Sequence, residues 1–131
     1  MEHHRFSQSS KDKLIYLHED MYRVVCLALK YSKYDFGITE TLRTVEQQEK
    51  YVLEGKSKTM DSSHLPNEFG DSEAVDIKIW VNGKITWDKK YYSKVASAFF
   101  RAAIELGVQI EWGGHWESFF DGPHFQLKKD S

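Results

Sequence analysis

The order of helical and strand-like segments along the 131 residues predicts a small α+β domain, a mostly antiparallel sheet packed against helices. Three observations carry this. Asn82-Gly83 joins two strand-like runs, 74–80 and 84–87, and both turn residues accept the positive φ of a type I′ hairpin. Segments of helical period lie on either side of that hairpin, each closed by a glycine or a break in pattern. Hydrophobic residues make up 40% and aromatics 15%, enough for a core, which excludes general disorder.

Each element follows in turn. Leu14, Leu17, Met21, Val24, Val25 and Leu29 succeed one another at helical spacing after a Ser9-Ser10 capping site. They fit one helix over 10–31 or two helices joined near His18. Residues 34–40 read as a short strand. A helix from Thr44 through Val45, Gln48, Val52 and Leu53 stops at Gly55, which tolerates a left-handed cap. Residues 56–73 are polar, of mixed charge and without period, and read as a loop. Beyond the hairpin, Asp88 caps a helix over 89–106 with Val95, Phe99, Ala102, Ala103 and Leu106 on one face and Gly107 as its stop. Short strands near 108–112 and 124–127 complete the chain. No repeat or proline-rich linker divides it, so 1–131 reads as one domain with its core over about 10–127.

Lys plus Arg number 18 and Asp plus Glu 20, a formal charge of −2 with histidine neutral. That balance argues against nucleic acid or an anionic membrane as partner, each of which calls for a basic excess. The single cysteine, Cys26, excludes an intrachain disulfide and any multi-cysteine zinc module, leaving six histidines as metal ligands. Residues 1–5 lead into polar sequence without a signal-peptide pattern, and the longest aliphatic run, 24–29, is too short to span a bilayer. The chain is expected to fold in a reducing cytoplasm, with no membrane anchor.

Three segments concentrate reactive groups. They are Ser62-Ser63-His64 with Ala74-Val75-Asp76-Ile77, then Glu111-Trp112-Gly113-Gly114-His115-Trp116, then Asp121-Gly122-Pro123-His124-Phe125-Gln126-Leu127. Two histidines and a carboxylate among them can give zinc three ligands and leave one position open, the mark of a catalytic site. Zinc lowers the pKa of its water to about 7, and a further carboxylate must then take the proton. Asp121, three residues before His124, is placed for that if Gly122-Pro123 makes a tight turn. Spacing alone leaves the plainer reading open. There is no H-E-x-x-H motif, and any one histidine is as well explained as a surface or satisfied core group. Two features weigh the other way: Asp76 interrupts an apolar strand, where a charge needs a partner, and His124 opens a strand just after a turn.

Together these segments resemble the zinc peptidases that cut bonds to D-amino acids in bacterial cell walls. These are the D-alanyl-D-alanine peptidases and phage L-alanyl-D-glutamate endolysins, which share a hedgehog-like zinc peptidase fold. The pattern is S-x-H, A-x-D on a strand, and a carboxylate three residues before a final histidine, here Ser62 and His64, Ala74 and Asp76, Asp121 and His124. The run Leu42-Arg43-Thr44-Val45-Glu46-Gln47, the hairpin Asn82-Gly83-Lys84-Ile85-Thr86-Trp87 and the segment 113–116 look most like the phage endolysins. The resemblance covers about 10–127. It implies His64, Asp76 and His124 as ligands of a zinc ion at the sheet edge. It implies Asp121 as the base that activates water and later protonates the leaving amine. Arg43 matches an arginine that clamps a substrate carboxylate or stabilises the oxyanion, and Ser62 a substrate-side hydroxyl. The implied activity is hydrolysis of the L-alanyl-D-glutamate link in the peptidoglycan stem peptide. The protein would act as a monomer that waits in the host cytoplasm until a holin opens the membrane and then works on the wall, with no separate wall-binding domain. Related alternatives are a D-alanyl-D-alanine carboxypeptidase or dipeptidase, and a non-catalytic zinc-binding module.

Two departures stand out. Asp76 lies twelve residues after His64, farther than the family usually places it; Asp71 falls nearer but lacks the strand context, so Asp76 is the expected ligand. His115 stands where related endolysins often have aspartate, and a solvent-facing role is expected over an extra ligand or substrate contact. Trp80, Trp87, Trp112 and Trp116 read as core or sheet-packing groups, with a glycan groove as the alternative. Cys26 reads as a buried small residue rather than a nucleophile. The acidic run Asp61, Glu68, Asp71 and Glu73 has no EF-hand spacing.

Overall fold

A computed structural model describes residues 4–57, 60–117 and 120–129. Its elements are α1 (Gln8–Leu14), α2 (Glu19–Tyr31), β1 (Asp35–Glu40), α3 (Val45–Leu53), β2 (Ala74–Val81), β3 (Lys84–Thr86), α4 (Lys89–Leu106), β4 (Ile110–Trp112) and β5 (His124–Leu127). The sheet runs β1-β2-β5-β4 with every pair antiparallel, and β3 joins the far end of β2. β2 is therefore central, with β1 along one side and β5 and β3 sharing the other.

The N-terminal apolar pattern resolves into two helices. Leu17 and Ser72 form an isolated bridge at the break, and His18 caps α2 by accepting the Asp20 N–H at Nδ1. The cap of α1 is Ser7, not Ser9-Ser10. Ser10 is instead buried within the helix, where its Oγ accepts the Ile38 N–H at 2.9 Å and ties α1 to β1. Asn82 and Gly83 have φ of 52° and 79°, the left-handed pair of a type I′ turn. Asp88 caps α4, and Gly107 closes it at φ 70°.

Period two divides the sheet into faces. Phe36 and Ile38, Val75, Ile77 and Ile79, Ile110 and Trp112, and Phe125 point to one side, where α2 and α4 cover them with Val24, Val25, Ala28, Val95, Phe99 and Ala102. Phe99 stacks on Phe125 with centroids 3.8 Å apart. Cys26 sits half-buried on α2, and burial pushes its thiol up, away from nucleophilic reactivity. The alternate residues, Asp76, His124, Gln126 and Glu111, face the other side. There α3 departs from its apolar pattern. Val45 and Leu53 are exposed, and the one residue it buries is Gln48. Gln48 there accepts from the Arg43 guanidinium.

Candidate metal centre and active-site cleft

Strand register builds the centre. Asp76 of β2 lies directly opposite His124 of β5, and their side chains share the face away from the core. His64 arrives from the loop before β2. That loop is fastened to the body: Ser72 Oγ donates within reach of the Thr41 and Ala74 carbonyls, and the Ser72 backbone bonds Tyr16 and His18. His64 Nε2 stands 3.2 Å from Asp76 Oδ1, and His124 Nδ1 3.0 Å from the same oxygen. Ligand atoms of the three residues all lie within 4.8 Å of one another, and no other such group of three occurs among the described residues.

The donor set fits a metal on three counts. His64 Nδ1 is 2.7 Å from the Thr41 carbonyl, which only accepts, so Nδ1 carries the proton and Nε2 presents a lone pair. That Nε2 is buried and has no hydrogen-bond partner. A tetrahedral ion with ligands at about 2.0–2.1 Å sets neighbouring donors about 3.3 Å apart, close to the spacings found here. Two nitrogens and one carboxylate leave a fourth position open for water or substrate. Burial pushes Asp76 up, but the His124 and His64 rings beside it outweigh burial and hold the carboxyl well below its usual range. For His124, burial works against the charged ring, while Asp76 overcompensates and raises it.

The centre opens into a cleft of about 560 Å³ whose lining includes Arg43, Tyr51, Ser62, Trp116, Asp121 and Gln126. Asp121 sits ahead of a tight turn, in which the His124 N–H donates to the Asp121 carbonyl at 3.1 Å across Gly122-Pro123. Burial raises its carboxyl, and the charge of Asp76 raises it further, against the opposing charges of His124, His64 and Arg43. Such a group takes up a proton readily.

A sequence profile for phage L-alanyl-D-glutamate peptidases matches residues 2–128. The chain belongs to this family. The L-alanyl-D-glutamate peptidase of Escherichia phage T5 is 32% identical over 126 residues, 95% of this chain and 90% of that protein. The enzyme of the same name from Listeria phage A118 is 39% identical over 90 residues, 69% of this chain and 29% of that longer protein. Among solved structures, the Serratia marcescens L-Ala D-Glu endopeptidase ChiX superposes with a TM-score of 0.87 at 41% identity, covering 97% of this chain and 92% of that one.

In this phage peptidase-family chain Arg43 is buried beside the cleft. Its Nε and Nη2 pair with Glu40 and its Nη1 donates to Gln48 Oε1 at 2.6 Å, with the guanidinium 4.7 Å above the Tyr51 ring. Ser62 lines the cleft and its Oγ accepts the His64 N–H at 3.1 Å. Asp71 lies outside the metal-ligating group; its N–H is bound by Asn67 Oδ1 in the loop before β2. His115 is exposed and stacks near Phe100, away from the three ligands. Of the four tryptophans, Trp116 lines the cleft, its ring 5.0 Å from that of His124, while Trp112 is core. The sequence pattern assigns no role in the site to Glu40, Gln48, Gln126 or Glu111, although the last two lie within its reactive segments. For Gln126 the signal was present, because residues two apart on a strand share a face and His124 is two before it.

Proposed function

We infer that this chain is a zinc-dependent endopeptidase that hydrolyses the L-alanyl-D-glutamate bond of the peptidoglycan stem peptide. Family membership supports the bond, and the convergence of His64, Asp76 and His124 in a cleft shared with Asp121 carries the mechanism. His64 Nε2, His124 Nδ1 and an Asp76 oxygen would hold the ion. Zinc bound there supplies Lewis acidity, polarising the scissile carbonyl and making water acidic enough to ionise near neutral pH. Asp121 accepts a proton from the attacking water and delivers it to the departing nitrogen as the C–N bond breaks, leaving a carboxylate and a new N-terminal D-glutamate. Arg43, held in place by Glu40 and Gln48, offers its charge to the developing oxyanion or to a substrate carboxylate. Ser62, with its oxygen engaged by the His64 N–H, keeps an O–H to donate to substrate. On this reading the chain acts as a monomer held in the host cytoplasm until a holin gives it access to the wall.

Digestion of purified peptidoglycan with mass-spectrometric detection of new N-terminal D-glutamate tests this. Asp121→Ala is expected to lose at least about 100-fold in rate, the typical worth of a general base. His64→Ala is expected to lose both bound zinc and activity. Release of free D-alanine instead would point to a carboxypeptidase, and bound zinc without turnover to a binding module. An Asp121→Ala protein as fast as the parent would end the mechanism.

A further inference from the structure

On the side of His124 away from Asp76 lies a hydrogen-bonded chain that the mechanism above does not use. His124 Nε2 is 2.7 Å from Gln126 Oε1, and Gln126 Nε2 donates to Glu111 Oε2 at 3.0 Å. Register places all three: His124 and Gln126 are two apart on β5, and Glu111 of β4 stands directly opposite Gln126. We propose that Gln126 and Glu111 are positioning residues that hold the His124 ring in its metal-binding tautomer. The proposal deepens the zinc reading and rests on it.

The argument turns on which atoms can donate. A carboxylate only accepts, so Glu111 draws the NH₂ end of the Gln126 amide and turns its carbonyl oxygen toward His124. That oxygen also only accepts, so it holds a proton on Nε2; Asp76 Oδ1, 3.0 Å from Nδ1, accepts as well, and Gln126 is what keeps the ring's remaining proton on Nε2 once Nδ1 gives its lone pair to an ion. Were the amide reversed, its NH₂ would face Nε2 and favour the other tautomer. Nδ1–H would then donate to Asp76, and one ligand would be lost. His64 solves the same problem with a backbone carbonyl, whose orientation is fixed by the chain. His124 has a side-chain amide, which can rotate, and so needs Glu111 behind it. Gln126 is itself buried, which restricts competition from water.

Three measurements on the whole chain test this. Zinc affinity by chelator competition is expected to fall about 10–100-fold in Glu111→Gln and in Gln126→Leu, the usual cost of removing a partner of a ligating histidine. In metal-free protein at alkaline pH, ¹⁵N chemical shifts of the His124 ring are expected to report a larger Nε2–H fraction in the parent than in Gln126→Leu. The exchange variant Glu111→Gln with Gln126→Glu is expected to recover most of the affinity. It keeps a carboxylate to accept from His124 and an amide to donate to that carboxylate. A merely structural role would lower thermal stability without moving the tautomer or being rescued by the exchange. Should Gln126→Leu not fold, the near-isosteric Glu111→Gln carries the test. Unchanged affinity and tautomer in folded variants, or no recovery on exchange, would overturn the proposal. A parent protein that binds zinc no better than His64→Ala would instead overturn the metal reading itself.

Discussion

Asp121, the proposed base, carries a cost to stability in its folded surroundings. Burial first, and the Asp76 charge second, raise its carboxyl in the folded protein above its ordinary value. A folded pKa above the unfolded one means the native state binds more protons. Its contribution is then fully present below the unfolded pKa and is lost as pH rises through the folded value. At neutral pH the metal-free protein therefore carries a cost for ionised Asp121. Asp121→Asn is expected to melt higher than the parent at neutral pH without metal, and the gap should close once the pH falls below the carboxylate range. Thermal melts across pH check this, and a lower neutral-pH midpoint for the variant would contradict it. Asp76 has the opposite sign, held low by two histidines, so its contribution is present above the unfolded pKa and lost in acid.

At the scale of elements, the part that aims Asp121 is a backbone packing. A Cβ on Gly113 would meet the Asp121 carbonyl oxygen at 2.2 Å and its Cβ at 2.9 Å, and the Gly113 carbonyl already accepts the Asp121 N–H at 3.0 Å. The single 3₁₀ turn Gly113–His115 after β4 thus lies backbone to backbone against the turn that leads into β5. Gly113→Ala must push Asp121 aside, at about 1–3 kcal/mol of stability. A displacement near 1 Å is expected to cost on the order of 100-fold in rate. Because Asp76 and His124 are held by the β2–β5 pairing and His64 by the Thr41 carbonyl, zinc affinity should fall less than kcat, and steady-state kinetics beside chelator competition would reveal the split. Elements set by local signals were legible in the sequence. The Asn82-Gly83 hairpin, the Asp88 cap and the Gly107 stop each need only neighbouring residues. The Ser7 cap and the burial of Gln48 on α3 were not: Ser10 is drawn inward by Ile38, far along the chain in β1, and Gln48 by the buried guanidinium of Arg43, a polar contact that hydrophobic periodicity does not register. His64, Asp76, His124 and Asp121 are proposed from their pattern, and Gln126 is placed beside His124 by strand alternation alone, whereas Glu111 emerges only once β4 and β5 are in register.

For the molecule as a whole, the metal would join parts that the chain leaves far apart. Asp76 and His124 belong to paired central strands backed by the Phe99 and Phe125 stack, a rigid base. His64 sits instead on the long connection between α3 and β2, which is held by hydrogen bonds at Ser72 and Thr41 and, among its described residues, buries few apolar groups. Long loops cost little extra entropy to close, so an extended His64–Asp76 spacing is compatible with a tight site. A net charge of −2 offers no bulk attraction to an anionic partner, so substrate recognition falls to the cleft, and the cleft wall includes this loop. An ion binding the folded chain alone stabilises it by mass action, about 4 kcal/mol at free zinc a thousandfold above Kd. For a domain of this size that is a rise of roughly 12–20 °C in Tm over the chelated protein. The gain should be absent in His64→Ala, and amide exchange should slow more in 62–73 than in α2 or α4, which are already packed without the ion. A midpoint unmoved by chelator, with the parent shown to be zinc-loaded beforehand, would mean that the ion does not bind these three residues as a set.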